Sequence, residues 1–144
     1  MNPYAAQSNA YRESSVLTAS PEQLVVMLYD GAMRFLRQAE TAAEQEGWLP
    51  AGERLERAEA ILDELLATLN MDAGEVAVRL QAIYVFCRRS LIEARVERST
   101  LKIGHVQRLL ADLREAWAQV AAPTQPPAPA QGDAGPALAR AASA

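Results

Sequence analysis

Between Leu24 and Leu36 ten of thirteen residues are apolar, and only Asp30, Gly31 and Arg34 interrupt them. The stretch opens as a helix should. Ser20 is a good N-cap, Pro21 suits the first helical position, and Gln23 stands where a capping box takes Glu or Gln. Leu24, Leu28, Ala32, Phe35, Leu36 and Ala39 fall on one stripe at helical spacing. Val25, Val26, Tyr29 and Met33 fall outside it. A helix apolar nearly all round is buried nearly all round. In a chain of 144 residues, one domain with room for tails, a second surface must therefore cover this helix.

The rest of the chain divides into similar lengths. Residues 1–19 carry Tyr4, Tyr11, Val16 and Leu17 without a sustained period, which predicts a mobile arm. Helix one is expected from Pro21 to Gln45, with Gly47 and Pro50 punctuating a connection in which Trp48 covers the end of a bundle. Helix two is expected over 51–69, with Leu55, Ala58, Leu62, Leu65, Leu66 and Leu69 on its core stripe. Glu53 and Arg57 are spaced to pair across one turn, and Asn70 suits a left-handed helix end. Helix three, 75–98, has Val76, Leu80, Ile83, Tyr84, Cys87, Leu91 and Ala94 as its stripe. Val78, Ala82, Val85, Phe86, Ile92 and Val96 form a second apolar set. Helix four, 100–120, is capped by Ser99 or Thr100 and buries Ile103, Val106, Leu110, Leu113, Trp117 and Val120. Beyond it, five of the eight prolines and ten alanines fall in the last twenty-four residues, a composition that predicts a disordered tail.

Four helices joined by short connections make an all-α chain, most economically an antiparallel up-down four-helix bundle. The expected layout is an arm at 1–19, a bundle at 20–121 and a Pro/Ala-rich tail at 122–144. Helices one and three carry more apolar surface than one stripe needs.

Catalytic and cofactor chemistry is sparse. One histidine, His105, excludes a di-iron carboxylate bundle with two Glu-x-x-His pairs. There is no haem attachment motif, zinc spacing, Walker loop or dinucleotide fingerprint, so no cofactor and no metal are expected. Cys87 lies on the core stripe and reads as a small buried hydrophobe, and His105 as a solvated residue in the first turn of its helix. Asp30 reads as a pair to a neighbouring segment. Gly31 reads as a point of close helix packing or as the place where a partner backbone approaches. Net charge is -8 over residues 1–75 and +4 over 76–144, which suits acidic helices beside basic ones and argues against a nucleic-acid partner. No stretch is long and apolar enough to insert in a membrane, no signal peptide is evident, and a single cysteine allows no disulfide framework. The cytoplasm is the expected compartment.

The residues also resemble a known family. Ser20-Pro21 followed by Met27-Leu28-Tyr29-Asp30-Gly31-Ala32 is similar to the signature of the flagellar secretion chaperone FliS family. Leu69-Asn70, Tyr84, the segment Arg89, Leu91, Glu93 and Ala94, Glu115-Ala116-Trp117 and Tyr11 resemble further family positions in the same order. The likeness spans about residues 4–120. Val85 and Phe86 stand where the family has Asp and Tyr, Ser90 where it has a second Arg, and Arg95 where it has Asn.

The resemblance implies a bundle that binds the disordered C-terminal segment of flagellin, blocks premature polymerisation and delivers the subunit to the flagellar type III export gate, without catalysis. On that reading the surplus apolar faces form grooves for the client, with Val25, Val26, Tyr29, Met33, Ile92 and Val96 as candidates. Periodicity alone leaves each divided between groove and core. Tyr11, Val16 and Leu17 are expected to cap the grooves in the free protein or to contact the export gate. A structural bundle using the same face for homodimerisation is the alternative.

Overall fold

The structure, a computed structural model, describes residues 18–121 and 135–142. Among these residues the secondary structure is entirely helical. Helices α1 (Pro21–Gln45), α2 (Trp48–Thr68), α3 (Glu75–Glu97) and α4 (Thr100–Ala121) form the bundle, with a 3-10 turn at Met71–Ala73 and a short α5 at Gly135–Ala142. Short connections force successive helices to run antiparallel. Each long helix packs on its sequence neighbours, and α4 closes the ring on α1. This is the expected up-down bundle, with α1 and α3 on one diagonal.

Local chemistry sets the ends. Ser20 Oγ accepts from the Gln23 amide at 3.2 Å while Gln23 Oε1 accepts from the Ser20 amide at 2.8 Å, a complete capping box. Helix α1 ends where the Glu46 and Gly47 amides both donate to the Ala42 carbonyl. Gly47, at φ 107°, then turns the chain at once into α2. The connection is thus shorter than expected, and Trp48 and Pro50 belong to α2. Proline is tolerated in a first turn because its missing N–H had no helical acceptor there. Between α3 and α4 only Arg98 and Ser99 intervene, and Ser99 Oγ accepts from the Lys102 amide at 3.3 Å.

The core confirms most of the stripes on α2, α3 and α4: Leu55, Leu62, Leu80, Cys87, Leu91, Ile103, Val106 and Leu110 are all buried. On α1 the buried arc is rotated from the expected one. Ala32, Leu36 and Ala39 are inside as expected, but Val25 and Tyr29 join them while Leu24 lies outside and Leu28 and Phe35 are half-buried. Packed against both α2 and α4, α1 centres its buried face between two overlapping apolar arcs. The Arg34 and Arg57 guanidiniums lie over the Phe35 ring at 5.6 and 5.8 Å. Arg57 therefore stacks on α1 rather than pairing with Glu53.

Gly31 is buried against α2, where an added Cβ would stand 3.3 Å from Ile61 Cδ1. Close helix packing, not approach of an outside backbone, accounts for it. Its neighbour Asp30 accepts from Arg114 Nε at 2.8 Å and NH2 at 3.4 Å, tying α1 to α4.

The tail departs from expectation. Residues 122–134 lie outside the described residues, but Gly135–Ala142 is helical rather than disordered and sits at the end of the bundle where α1 begins and α4 ends. Leu138 and Ala141 join the core cluster. Asn70, expected as a left-handed helix end, is extended at φ -87° and ψ 97°. Its Oδ1 accepts from the Asp72 amide, its Nδ2 donates to the Arg140 carbonyl, and its own amide donates to the Ala141 carbonyl.

Candidate functional site

At the centre of the bundle the Tyr29 and Tyr84 hydroxyls, from the diagonal helices α1 and α3, lie 2.5 Å apart. One hydroxyl donates to the other where water is excluded. Trp117 is buried beside them. Burial pushes the Tyr84 phenol up to about 12 against the lowering effect of its hydrogen bond with Tyr29, and burial, together with the Tyr84 charge and hydrogen bond, raises Tyr29 further. Burial likewise moves the Cys87 thiol up to about 11, away from the reactive thiolate. These groups are held neutral inside a packed core, which gives them no route to a substrate.

A folded-state pKa above the unfolded value near 10 favours the neutral phenol in the fold. That stability is fully present below pH 10 and is lost as pH rises from 10 through the folded value. Urea unfolding between pH 9 and 11.5 should therefore show stability falling by up to about 1.4 kcal/mol per pH unit for each buried tyrosine above pH 10. A flat profile across that window would exclude the buried pair.

Several further charged groups tie the helices together. Glu59 is nearly buried on α2, where desolvation raises its pKa and the Arg95 guanidinium, 3.4 Å from its carboxylate, opposes that rise. Lys102 Nζ bridges Glu93 and Glu97, both at 2.7 Å, across the α3–α4 junction. Arg88 pairs with Asp63 at 2.7 Å between α3 and α2. No group of three or more His, Cys, Asp or Glu side chains is placed to hold a metal among the described residues. His105 is exposed, as expected.

Two apolar surfaces remain outside the core. The first is a groove of about 440 Å³ between the start of α1 and the end of α4, with Gln23, Val26, Met27, Ala118 and Ala121 among its walls. Its sides are small or flexible residues, and Met27 can adapt to an irregular occupant. The second is the outer face of α3. Val78, Val85 and Val96 are exposed along one line opposite the core stripe, with Phe86 beside them at 57% exposure. From Val78 to Val96 this line runs about 27 Å at 1.5 Å per residue.

The six candidate groove residues are divided by this geometry. Val26 lines the α1–α4 groove, and Met33 is half-buried farther along α1. Ile92 is half-buried and Val96 exposed on the outer part of α3. Val25 and Tyr29 are core residues, Tyr29 with no exposed surface, so both are corrected from groove to core. The remaining four do not form one groove, because α1 and α3 are diagonal. Tyr11, Val16 and Leu17 lie outside the described residues. Ala118 and Ala121, which also line the groove, were not among the expected residues: an alanine at the end of a helix carries no signal until its neighbour is known. Phe86 had a signal, since it belongs to the surplus set of α3.

Among the described residues the chain is a helical bundle with a packed core and apolar surface left on two sides. Residues 4–124 match the sequence family described as flagellar protein FliS. The flagellar secretion chaperone FliS of Bacillus subtilis is 36% identical over 118 residues, 82% of this chain and 85% of the relative. That of Salmonella typhimurium is 38% identical over 110 residues, covering 75% and 82%, and that of Campylobacter jejuni is 34% identical over 113 residues, covering 78% and 88%. The chain belongs to the FliS family of flagellar secretion chaperones. No helix among the described residues is long and apolar enough to cross a membrane.

Proposed function

We propose that this protein is a cytoplasmic export chaperone that binds the disordered C-terminal segment of flagellin, keeps it from polymerising and delivers it to the flagellar export gate. The observation that carries this reading is the outer face of α3. Its valines and Phe86 are exposed although the bundle core is complete without them. Exposed apolar residues in a line of this length mark a place for a partner. The α1–α4 groove supplies a second place on another side of the bundle.

A rigid globular partner does not reach two diagonal faces of one bundle. A disordered segment does, by wrapping, at the cost of ordering its backbone. Apolar stretches of such a segment, folded as amphipathic helices, would each lie on one surface. Masking of this kind needs no nucleotide and no metal.

Isothermal calorimetry of the full chain with a synthetic flagellin C-terminal segment tests the reading. The expected result is one-to-one binding at micromolar affinity or tighter, with the negative heat-capacity change that apolar burial produces. Absence of heat at micromolar concentration, together with a dimer in sedimentation equilibrium, would assign the α3 face to self-association instead.

A further inference from the structure

Helix α5 is only eight residues long, Gly135–Ala142. A helix of that length is not stable alone in water, so its structure depends on what it is docked against. It packs on α1, α3, α4 and the 3-10 turn, burying Leu138 and Ala141, which are spaced three apart on one face. At its far end the Arg140 and Ala141 carbonyls, left without acceptor duty inside the helix, are both taken by Asn70. The end of the bundle is thus a receptor for a short helix: an apolar seat for one Leu and one Ala, and a single asparagine that grips the helix C-terminus by two backbone carbonyls.

Little in this recognition is peculiar to α5. Backbone carbonyls belong to any helix, and a Leu with a small residue three positions on is a common amphipathic pattern. Thirteen residues, 122–134, separate α4 from α5. Their contour reaches up to about 45 Å, enough for α5 to leave its seat while remaining attached. The seat adjoins the end of the bundle where the α1–α4 groove opens.

We propose that the seat beneath α5 is a helix-binding site, occupied in cis by this chain's own residues 135–142 and in trans by an amphipathic helical stretch of the client, so that client binding displaces α5. This rests on the flagellin reading above. Tethering holds α5 at a millimolar effective concentration. The eight residues lose their helix when they leave, which keeps the cis contact weak enough to be displaced.

Two full-length variants test it. Leu138→Asp removes the apolar anchor, and Arg140→Pro breaks α5 at a residue that is exposed and meets the bundle through its backbone carbonyl, held by Asn70. A fluorescent peptide of residues 131–144 should bind both variants and bind the parent chain more weakly. The flagellin segment should displace that peptide and should bind both variants about tenfold more tightly than the parent, the factor expected if α5 is undocked about one-tenth of the time. In the parent, hydrogen exchange at the Asn70 amide should accelerate on addition of the flagellin segment. Unchanged flagellin affinity in both variants, or a peptide that stays bound at saturating flagellin, overturns the proposal. Flagellin that binds none of the three proteins while the peptide still binds the variants overturns the client reading, and is seen separately because the peptide measurement contains no flagellin.

Discussion

Tyr29→Asp is expected to abolish the folded bundle. The side chain has no exposed surface, and its hydroxyl is satisfied by Tyr84 in the middle of the core. A carboxylate there is an unpaired buried charge, costing about 4–5 kcal/mol or more, comparable to the whole stability of a small domain. Circular dichroism at neutral pH should show loss of most helix. Tyr29→Phe is the milder probe: it keeps the ring and leaves the Tyr84 hydroxyl alone, at a cost of about 1–3 kcal/mol. Adding Tyr84→Phe should then cost less than the sum of the two single changes, because the second removes the group that the first orphaned. Strict additivity in urea unfolding would show that the hydroxyl contact contributes nothing.

The second large effect concerns binding. Val26→Asp in the α1–α4 groove and Val96→Asp on the outer face of α3 should each weaken binding of the flagellin segment at least about tenfold, since each sets a charge where about 1.5–3 kcal/mol of apolar burial is expected on binding. Helix content should be unchanged for Val96→Asp, whose side chain is exposed, and largely kept for Val26→Asp, whose side chain is only partly buried against the core. The pair also discriminates between modes. If only Val26→Asp weakens binding, the client occupies one groove and does not wrap. If only Val96→Asp does, the outer face of α3 is the binding site and the groove is incidental.

Much of this architecture was legible before any coordinates. Helix α1 could be bounded at both ends because Ser20, Pro21, Gln23 and Gly47 each have a specific role at a helix terminus. The two apolar sets of α3 lie on opposite sides of its axis, so periodicity alone separated Leu80, Tyr84, Cys87 and Leu91 from Val78, Val85 and Phe86. On α1 the same method failed. Its two arcs overlap, and which one faces inward depends on where α2 and α4 sit. Tyr29 and Val25 were therefore misplaced. Pro50 was read as a break because position within a first turn cannot be told until the turn is located. Helix α5 was invisible for a different reason: a lone leucine in an alanine- and proline-rich stretch has no period, and its helicity comes from its seat and from Asn70.

The buried tyrosine pair has one further consequence. A core of leucines and alanines repeated at threes and fours presents nearly the same surface after one helix slides along its neighbours by a turn, about 5.4 Å. Apolar packing alone discriminates weakly between such alternatives. Two hydroxyls that must meet across the diagonal do not survive the slide: each would be stranded against hydrocarbon. Tyr29 and Tyr84 thus act as a vernier mark between α1 and α3. They penalise slipped packings more than they strengthen the correct one, and so keep the α1–α4 groove and the outer face of α3 at a fixed offset along the bundle.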